Sequence, residues 1–322
     1  MAPPVTATKG IQASADGLSS YTARMVQTKD IDRLAVRRQF ARRAGRLAQA
    51  NFLLREAESQ MLSRLDLIKM TPASIVEIGS GLGDGLLALR KRYPEASLLG
   101  VDVAEPLVRH ARQRLSPPAD GFLARLLDST VRRRQPLASL AVADGAQMPL
   151  RDNSAELIWS NLCLHWFDDP VSTVAEWHRI IRPDGLLMFS MFGVDTLKEL
   201  RAGGAELMQF HDMHDLGDAL VAAGFADPVM DMSIIKVAFS SADKAIEDLR
   251  SMGGNALLSR RKGLAGREQL RRWRLELSQL RDKDGAIPVT FEIIYGHAWC
   301  PSRKRLPGGL QPVEFHRRPA AD

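Results

Sequence analysis

A short segment near residue 80 combines one acidic side chain with three glycines at alternating positions. From Ile75 to Gly83 it reads IVEIGSGLG. The apolar run predicts a buried strand over Ser74–Ile78 that turns sharply into a helix over Asp84–Tyr93. Glycines leave the backbone bare, so a ligand can lie against it at the N-terminus of that helix, where unpaired N–H groups bind polar groups. The pattern therefore predicts a nucleotide-binding turn built from Glu77, Gly79, Gly81 and Gly83.

The spacing of these glycines separates two kinds of nucleotide site. The dinucleotide fingerprint needs glycines at the first, third and sixth positions of one stretch. Counted from Gly79 the sixth position is Asp84, and counted from Gly81 it is Leu86. Neither register fits, so the spacing disfavours a dinucleotide. A strand-to-helix connection with no ligand is the other alternative, because glycine-rich turns also serve as plain connections.

Polar residues end three further predicted strands. Asp102 ends the run SLLGVD, Asp144-Gly145 ends LAVADG, and Ser160-Asn161 ends LIWSN. In an open α/β sheet, ligands bind beyond the carboxyl ends of the strands. Asp102 can accept both hydroxyl protons of a ribose there, and Asp144 can accept from an adenine amino group. Their order along the chain favours a nucleoside ligand over chance placement of turn-forming residues.

The glycine pattern resembles the first motif of the class I S-adenosylmethionine (SAM) methyltransferases. Asp144-Gly145, followed by QMPL at residues 147–150, is similar to the adenine motif of the same proteins. The resemblance covers most of residues 70–200 and implies SAM as the cofactor. It also implies a set of cofactor-binding residues, namely Glu77, Gly79, Gly81, Gly83, Asp102, Asp144, Gly145 and Asn161.

Strands and helices alternate along the chain, which is typical of a parallel sheet covered by helices on both faces. A helix is predicted over residues 31–66, and an arginine-rich helical insertion over about 240–285 precedes the last strand. We therefore expect an α/β, Rossmann-like class I methyltransferase fold with a seven-stranded, mostly parallel sheet. The predicted strands are Ser74–Ile78, Ala96–Val103, Leu140–Ala143, Leu157–Asn161, Leu186–Phe192, Val229–Val237 and Val289–Gly296.

Composition divides the chain into one domain and two tails. Residues 1–30 are rich in Ala, Ser, Thr and Pro and are predicted to form a disordered tail. Residues 31–305 carry the methyltransferase pattern, and residues 306–322 are predicted to be a loose basic tail.

The chain of 322 residues carries a net charge of +6, which favours an acidic partner such as nucleic acid, anionic lipid or an acidic protein. Its apolar runs are shorter than the roughly 20 residues that a membrane-spanning helix needs. Cys163 and Cys300 are its two cysteines, and they are far apart. This usage predicts reduced thiols in a cytoplasmic protein.

Two stretches narrow the resemblance to one family. Residues 159–166, WSNLCLHW, and residues 182–185, RPDG, resemble the BioC family, the malonyl-acyl-carrier-protein O-methyltransferases of biotin synthesis. FARRA at residues 40–44 is similar to that family's N-terminal segment, with Leu47 near the place of its usual Tyr. The resemblance implies malonyl-loaded acyl carrier protein as substrate and partner. Residues 191–201 are equally similar to an arginine hydroxylase that assembles respiratory NADH dehydrogenase, so a hydroxylase or assembly factor on this fold is the alternative.

Methylation of a carboxylate places modest demands on catalytic residues. A free carboxyl group, with a reference pKa near ~4, is already ionised at neutral pH and needs no general base. Positioning, which can contribute roughly 7–11 kcal/mol, can then supply most of the catalysis. An arginine fork is the natural clamp for the acceptor carboxylate. Arg201 is the first candidate and Arg43 the second; the predicted catalytic set is Asn161, His165 and Arg201.

Other readings of the sequence are weaker. A nucleic-acid methyltransferase is disfavoured, because the fourth strand ends in SNLC rather than in an Asn-Pro-Pro-Tyr motif, and no basic groove interleaved with aromatic residues is visible. His211 and His214 lie beside acidic residues at helical spacing, but an exposed helix start is favoured over a metal site. Arg260 and Arg261 in the insertion are predicted to dock the carrier protein.

Overall fold

The computed structural model describes residues 31–48, 51–116, 136–202, 207–260 and 267–302. Within them a seven-stranded sheet runs in the order β3-β2-β1-β4-β5-β7-β6. Its strands are β1 Ser74–Ile78, β2 Ser97–Asp102, β3 Ser139–Val142, β4 Ala155–Ser160, β5 Ile181–Phe192, β6 Ala226–Phe239 and β7 Ile287–Trp299.

Helices connect most of these strands. A 3-10 turn, Leu164–Trp166, follows β4. The α-helices of the described residues are α1 Arg33–Leu47, α2 Phe52–Leu65, α3 Asp84–Arg92, α4 Glu105–Leu115, α5 Pro170–Ile180, α6 Lys198–Ala202, α7 Met213–Ala222, α8 Ala242–Ser251 and α9 Arg267–Gln279.

One strand of the sheet, β7, runs opposite to the other six. The strands β3, β2, β1, β4 and β5 pair in parallel, so their carboxyl ends meet at one edge. The last strand, β7, enters between β5 and β6 and runs antiparallel to both. The mostly parallel sheet, with helices inserted before its last strand, confirms the fold predicted from the sequence.

Both faces of the sheet are buried, which explains the continuous apolar runs of its parallel strands. Adjacent residues of β1 point to opposite faces: Ile75 packs into one core cluster and Val76 into another. The first cluster includes side chains of α2, α3, α8 and α9, and the second includes side chains of α5 and α7. The sheet thus fixes the positions of the loops at its carboxyl edge.

Element boundaries differ from prediction in three places. The single helix expected over residues 31–66 is two helices, α1 and α2; residues 49–50 lie outside the described part. The two last strands are longer than predicted, because they pair with each other over almost their full lengths. The turn expected at residues 182–185 lies within β5, with a shift in the β4–β5 register between Ala155 and Leu157.

The insertion at 240–285 packs mainly on the sheet. Ala245 of α8 and Leu277 of α9 are fully buried in the first core cluster. The predicted tails, 1–30 and 306–322, lie outside the described residues, so the tail predictions stay untested. Across the ranges that the structure describes, no helix has both the length and the apolar composition to cross a bilayer.

Candidate active site

The turn after β1 adopts the backbone that its glycines permit. Gly79, Gly81 and Gly83 have φ angles of +76°, +51° and +81°, in the left-handed region that favours glycine. A Cβ at Gly79 would lie 2.4 Å from the Cys163 sulfur, so a side chain there would collide with the loop after β4. Gly83 caps the N-terminus of α3. The turn therefore presents bare backbone to the cleft at the carboxyl edge of the sheet.

Asp102, at the end of β2, braces this turn from one side. Its carboxylate accepts hydrogen bonds from the Gly81 N–H at 3.0 Å and from the Ala104 N–H at 2.8 Å. The side chain is buried, and burial raises the pKa of Asp102 to about 6, although the backbone N–H donors act in the opposite direction. This carboxylate lines the cleft where a ribose would bind.

Glu77 lies behind the turn, outside the lining of the cleft. It is 3% exposed, and its Oε2 has no partner among the described groups. Burial, followed by the nearby Glu58 and Asp84 carboxylates, raises the pKa of Glu77 well above its ordinary range. A Cβ at Gly85 would lie 2.1 Å from Glu77 Oε1, so the carboxyl group packs on the first turn of α3. Glu77 thus supports the turn from below.

Asp144 and Gly145 follow β3 and line the cleft from the side of that strand. The Asp144 carboxylate accepts from the Ala146 N–H at 3.0 Å and forms an ion pair with Arg33 of α1. Gly145 has no room for a side chain, since a Cβ would lie 2.5 Å from Ile78 Cγ2. The predicted role of Asp144 and Gly145 in binding adenine stays a prediction. Arg33 was not identified from the sequence.

Asn161 lines the cleft, and both polar atoms of its side chain have a protein partner. Its Nδ2 donates to the Leu54 carbonyl at 2.8 Å, and its Oδ1 accepts from the Ser190 hydroxyl at 2.8 Å. The amide therefore ties α2 to β5 across the end of β4. Its predicted role at the methyl-donor end of the cofactor stays a prediction.

His165 is a buried donor at the floor of the cleft. It is 4% exposed, and burial lowers its pKa to about 3, so the ring is neutral. Its Nδ1 accepts from the Phe192 N–H at 3.4 Å, which assigns the proton to Nε2. The Nε2 atom has no partner among the described groups. The neutral Nε2–H is thus buried without a partner, and a group in the cleft would reach it only if a neighbouring ring moved.

Aromatic rings surround His165. The rings of Trp166 and Phe192 lie 5.0 Å and 4.6 Å from the imidazole, and Phe210 lies 5.6 Å away. Phe40 of α1 meets Trp166 edge-on at 5.2 Å. These rings exclude water from the His165 end of the cleft, which strengthens any polar contact made there.

Neither predicted carboxylate clamp lies in the cleft wall. Arg201 donates to the carbonyls of Val194 and Met208, and its guanidinium lies 5.5 Å from the Phe210 ring centre. Arg43 donates to the Gly253 carbonyl beside the cleft mouth. Arg201 is therefore separated from His165 by one ring, Phe210, and its role as a clamp stays a prediction.

Helix α1 closes the cleft from above. Val36, Phe40 and Leu47 line the cavity from this helix, and Met252 lines it from the end of α8. An ion pair between Asp32 and Arg260, at 2.8 Å, ties the start of α1 to the connection between α8 and α9. The sequence placed Phe40 in a family motif but gave no signal for the packing of α1 over the site.

Seven predicted site residues line this single cleft: Gly79, Gly81, Asp102, Asp144, Gly145, Asn161 and His165. Glu77, Gly83 and Arg201 lie outside its lining. In the described part of the chain, no group of three or more His, Cys, Asp or Glu side chains could hold a metal ion.

Bare glycine backbone and the carboxylates of Asp102 and Asp144 line one cleft at the carboxyl edge of the sheet. Asp102 ends β2, and Asp144 follows β3, the strand beside it. Fold and cleft together define a class I SAM-dependent methyltransferase.

Comparison with known proteins agrees with this class and narrows it. A family model described as a methyltransferase domain matches residues 76–189. A putative methyltransferase from Bacillus halodurans C-125 superposes with a TM-score of 0.54 at 14% identity, covering 77% of this chain and 100% of that chain, which supports the fold. The malonyl-[acyl-carrier protein] O-methyltransferase of Laribacter hongkongensis is 42% identical over 88% of this chain and 96% of that protein. The protein of the same name from a Methylovorus species is 38% identical over 89% and 96%. The chain belongs to the malonyl-[acyl-carrier protein] O-methyltransferase family and is a SAM-dependent O-methyltransferase.

Proposed function

We propose that this enzyme methylates the free carboxyl group of malonyl-acyl-carrier protein, giving the methyl ester that starts pimeloyl synthesis for biotin. The observation that carries the proposal is the 42% identity to a malonyl-[acyl-carrier protein] O-methyltransferase over nearly the full length of both proteins. The cleft is consistent with it, because a carboxylate acceptor needs a donor and a dry wall rather than a general base.

The cofactor would be held by the glycine turn and two carboxylates. Backbone of Gly79 and Gly81 would bind its amino-acid portion, Asp102 its ribose hydroxyls and Asp144 its adenine amino group. When bound, SAM supplies a methyl group already activated by its sulfonium. Gly83 and Glu77 would act indirectly, since they shape and support the turn.

The acceptor carboxylate would meet His165. Once a shift of a neighbouring ring uncovers it, the neutral Nε2–H can donate to one carboxylate oxygen without taking up the negative charge that attacks the methyl group. The surrounding rings of Trp166, Phe192 and Phe210 would strip water from that oxygen and so raise its reactivity. Arg201, behind Phe210, would reach the second oxygen only if this ring moved.

The proposed partner is an acidic carrier protein, and the proposed location is the cytoplasm. The net charge of +6 suits an acidic partner. Cytoplasmic location accords with a carrier-bound substrate of fatty acid synthesis and with the low cysteine content of the chain.

One assay tests the proposed function directly. Purified protein is mixed with SAM labelled in its methyl group and with malonyl-acyl-carrier protein, and label on the carrier is measured. We expect transfer that is lost on mild base treatment, which cleaves methyl esters. Absence of transfer, with SAM binding intact, would refute the proposal. Acyl carrier protein without the malonyl group is the control and should stay unlabelled.

A deletion strain distinguishes the alternative function. If the enzyme serves biotin synthesis, added biotin restores growth. A respiratory defect that biotin does not relieve would instead support a hydroxylase or assembly factor for NADH dehydrogenase.

A further inference from the structure

The exposed side of α1 is the most uniformly charged helix face among the described elements. The helix contains six arginines and no acidic residue. Arg38, Arg42 and Arg46 recur every four residues, so they form one stripe along the helix. All three side chains are exposed.

The opposite side of α1 faces the cleft. Val36, Phe40 and Leu47 line the cavity, and Ala35 and Ala44 are buried beneath the helix. The same helix thus forms the wall of the active site with one side and a cationic outer surface with the other. A partner bound to the outer surface would sit at the mouth of the cleft.

Arg43 and Arg250 continue the positive charge towards that mouth. Burial, and then the charges of Arg250, Arg42 and Arg46, lower the pKa of Arg43 below its ordinary value. The positive charges of Arg42, Arg46 and Arg250 thus all act on Arg43. The Arg43 side chain is held in place by the Gly253 carbonyl, which lies at the end of α8.

Within the described ranges, the arginines of this face have no ion-pair partner. Among the described residues, no carboxylate forms an ion pair with Arg38, Arg42, Arg46 or Arg250, whereas Arg33, at the cleft end of α1, pairs with Asp144. A surface that accumulates like charge without counterions loses folding energy, so an acidic partner would relieve the repulsion.

The insertion predicted as the dock is less suitable. Arg260 is paired with Asp32, and Arg261 lies outside the described residues. On α9, Arg274 is paired with Asp243 at 2.6 Å, and Arg271 lies 3.7 Å from Glu268. Arg260 and two of the four α9 arginines are thus paired, and paired charges contribute little to long-range attraction.

We propose that the α1 arginine face, defined as Arg38, Arg42, Arg46 and Arg250, is the docking surface for the acidic carrier protein. This inference rests on the proposed function. Carboxylates of the carrier would pair with the arginines, and the arm bearing the malonyl group would enter the cleft beside α1. Such a contact would act mainly on the association rate, which makes it sensitive to salt.

The test compares two triple variants on two substrates. R38E/R42E/R46E reverses the α1 stripe, and R267E/R271E/R272E reverses the same number of exposed charges on α9. Each is assayed with malonyl-acyl-carrier protein and with malonyl-pantetheine, a small thioester that lacks the carrier. We expect the α1 variant to lose at least about tenfold in kcat/KM on the carrier substrate and less than twofold on the small one. The α9 variant should resemble the wild type on both.

Several outcomes would overturn the inference. These are an α1 variant that keeps wild-type kcat/KM on the carrier, an equal loss on both substrates, or a carrier-specific loss confined to the α9 variant. Failure of the wild-type enzyme to methylate either substrate would instead refute the proposed function, and the docking inference with it.

Two further measurements keep the test valid if a variant misfolds or if the small thioester is a poor substrate. R38Q/R42Q/R46Q removes the charge with a residue that favours helices as well as arginine does, and its SAM affinity and melting temperature report whether α1 still folds. The Kd for malonyl-acyl-carrier protein is measured directly, for the case in which the small thioester is a poor substrate. Both the Kd and the salt dependence of KM should change in the α1 variants alone.

Discussion

Two effects change the pKa of the Asp102 carboxyl group in opposite directions. Backbone N–H groups of Gly81 and Ala104 favour its ionised form, while burial favours the protonated form and prevails, with a pKa of about 6. Ribose hydroxyls can donate to this carboxyl group fully only when it is ionised. If Asp102 binds the ribose as proposed, cofactor binding is linked to the protonation of this one side chain.

SAM affinity should therefore depend on pH through Asp102. Above pH 6 the carboxylate is ionised and the affinity is constant; below pH 6 a proton must leave before SAM binds, so the Kd rises about tenfold per pH unit. Calorimetric titration between pH 5 and 8 measures this slope. In D102N, binding should be weaker and nearly independent of pH. Glu58, whose pKa burial raises to about 7, titrates in the same range. E58Q is the matched control, and loss of the slope there rather than in D102N would contradict the assignment.

The Arg201 side chain has a structural role, because it binds two backbone carbonyls. Any catalytic role must be compatible with those bonds. Its guanidinium spans the carbonyls of Val194 and Met208, and a lysine ammonium cannot reproduce that fork. We expect R201K to lower the free energy of unfolding by about 1.5–3 kcal/mol, the scale of a hydrogen bond to a charged group. Urea unfolding measures the loss. An unchanged unfolding energy with a raised KM for the malonyl substrate would show that Arg201 serves the acceptor instead.

At the scale of elements, α1 is fastened to the α8–α9 connection at two points, Asp32 and Gln39. Asp32 caps the helix by accepting from the Ala35 N–H at 2.9 Å and pairs with Arg260. The Gln39 amide donates to the Asn255 carbonyl at 2.8 Å. These contacts place the helix over the cleft, so its opening should be coupled to cofactor binding.

Loss of the Asp32 cap should loosen α1 without unfolding the sheet. In D32A the amides of the first turns of α1 should exchange with solvent faster, and SAM should bind more weakly, because the helix covers the cleft. Hydrogen exchange read by mass spectrometry measures the first effect. Asp169 caps α5 in the same way, by accepting from the Ser172 N–H at 3.0 Å. D169A is the matched control, in which α1 exchange should stay at the wild-type rate; equal exchange in D32A and wild type would refute the coupling.

Local sequence specifies the elements that build the cleft, and long-range contacts specify what covers it. The glycine turn and Asp102 follow from short patterns, because backbone freedom and strand ends are local properties. The Arg33–Asp144 ion pair joins residues far apart in the chain, and the Asn161 amide is used by Leu54 and Ser190. Such pairings depend on how helices pack on the sheet, which no pattern of spacing encodes. The break that divides the predicted first helix into α1 and α2 is likewise not encoded by any pattern of spacing.

On the scale of the whole molecule, the last strand of the chain is not at the edge of the sheet. Strand β7 lies inside the sheet, between β5 and β6, and most of its residues are buried. Its Glu292 accepts from the Asp195 N–H at 2.6 Å, which links the last strand to the loop after β5. The region matched by the methyltransferase family model, residues 76–189, ends before these strands. The C-terminal elements are thus integral to the fold, because they complete the sheet that carries the cleft.

Truncation of the chain should show how much of the C-terminal region the fold requires. A chain that stops at residue 285 lacks β7, so β6 loses its only sheet neighbour among the described strands and the buried side chains Phe291 and Ile293 are removed. We expect it to show no cooperative thermal unfolding and no SAM binding. A chain that stops at residue 305 keeps the whole sheet, and we expect wild-type SAM affinity and melting temperature. Calorimetry of both chains decides the matter: cooperative unfolding of the shorter one would mean that the parallel strands alone support the site. A large loss in the longer one would mean that residues 306–322 belong to the domain.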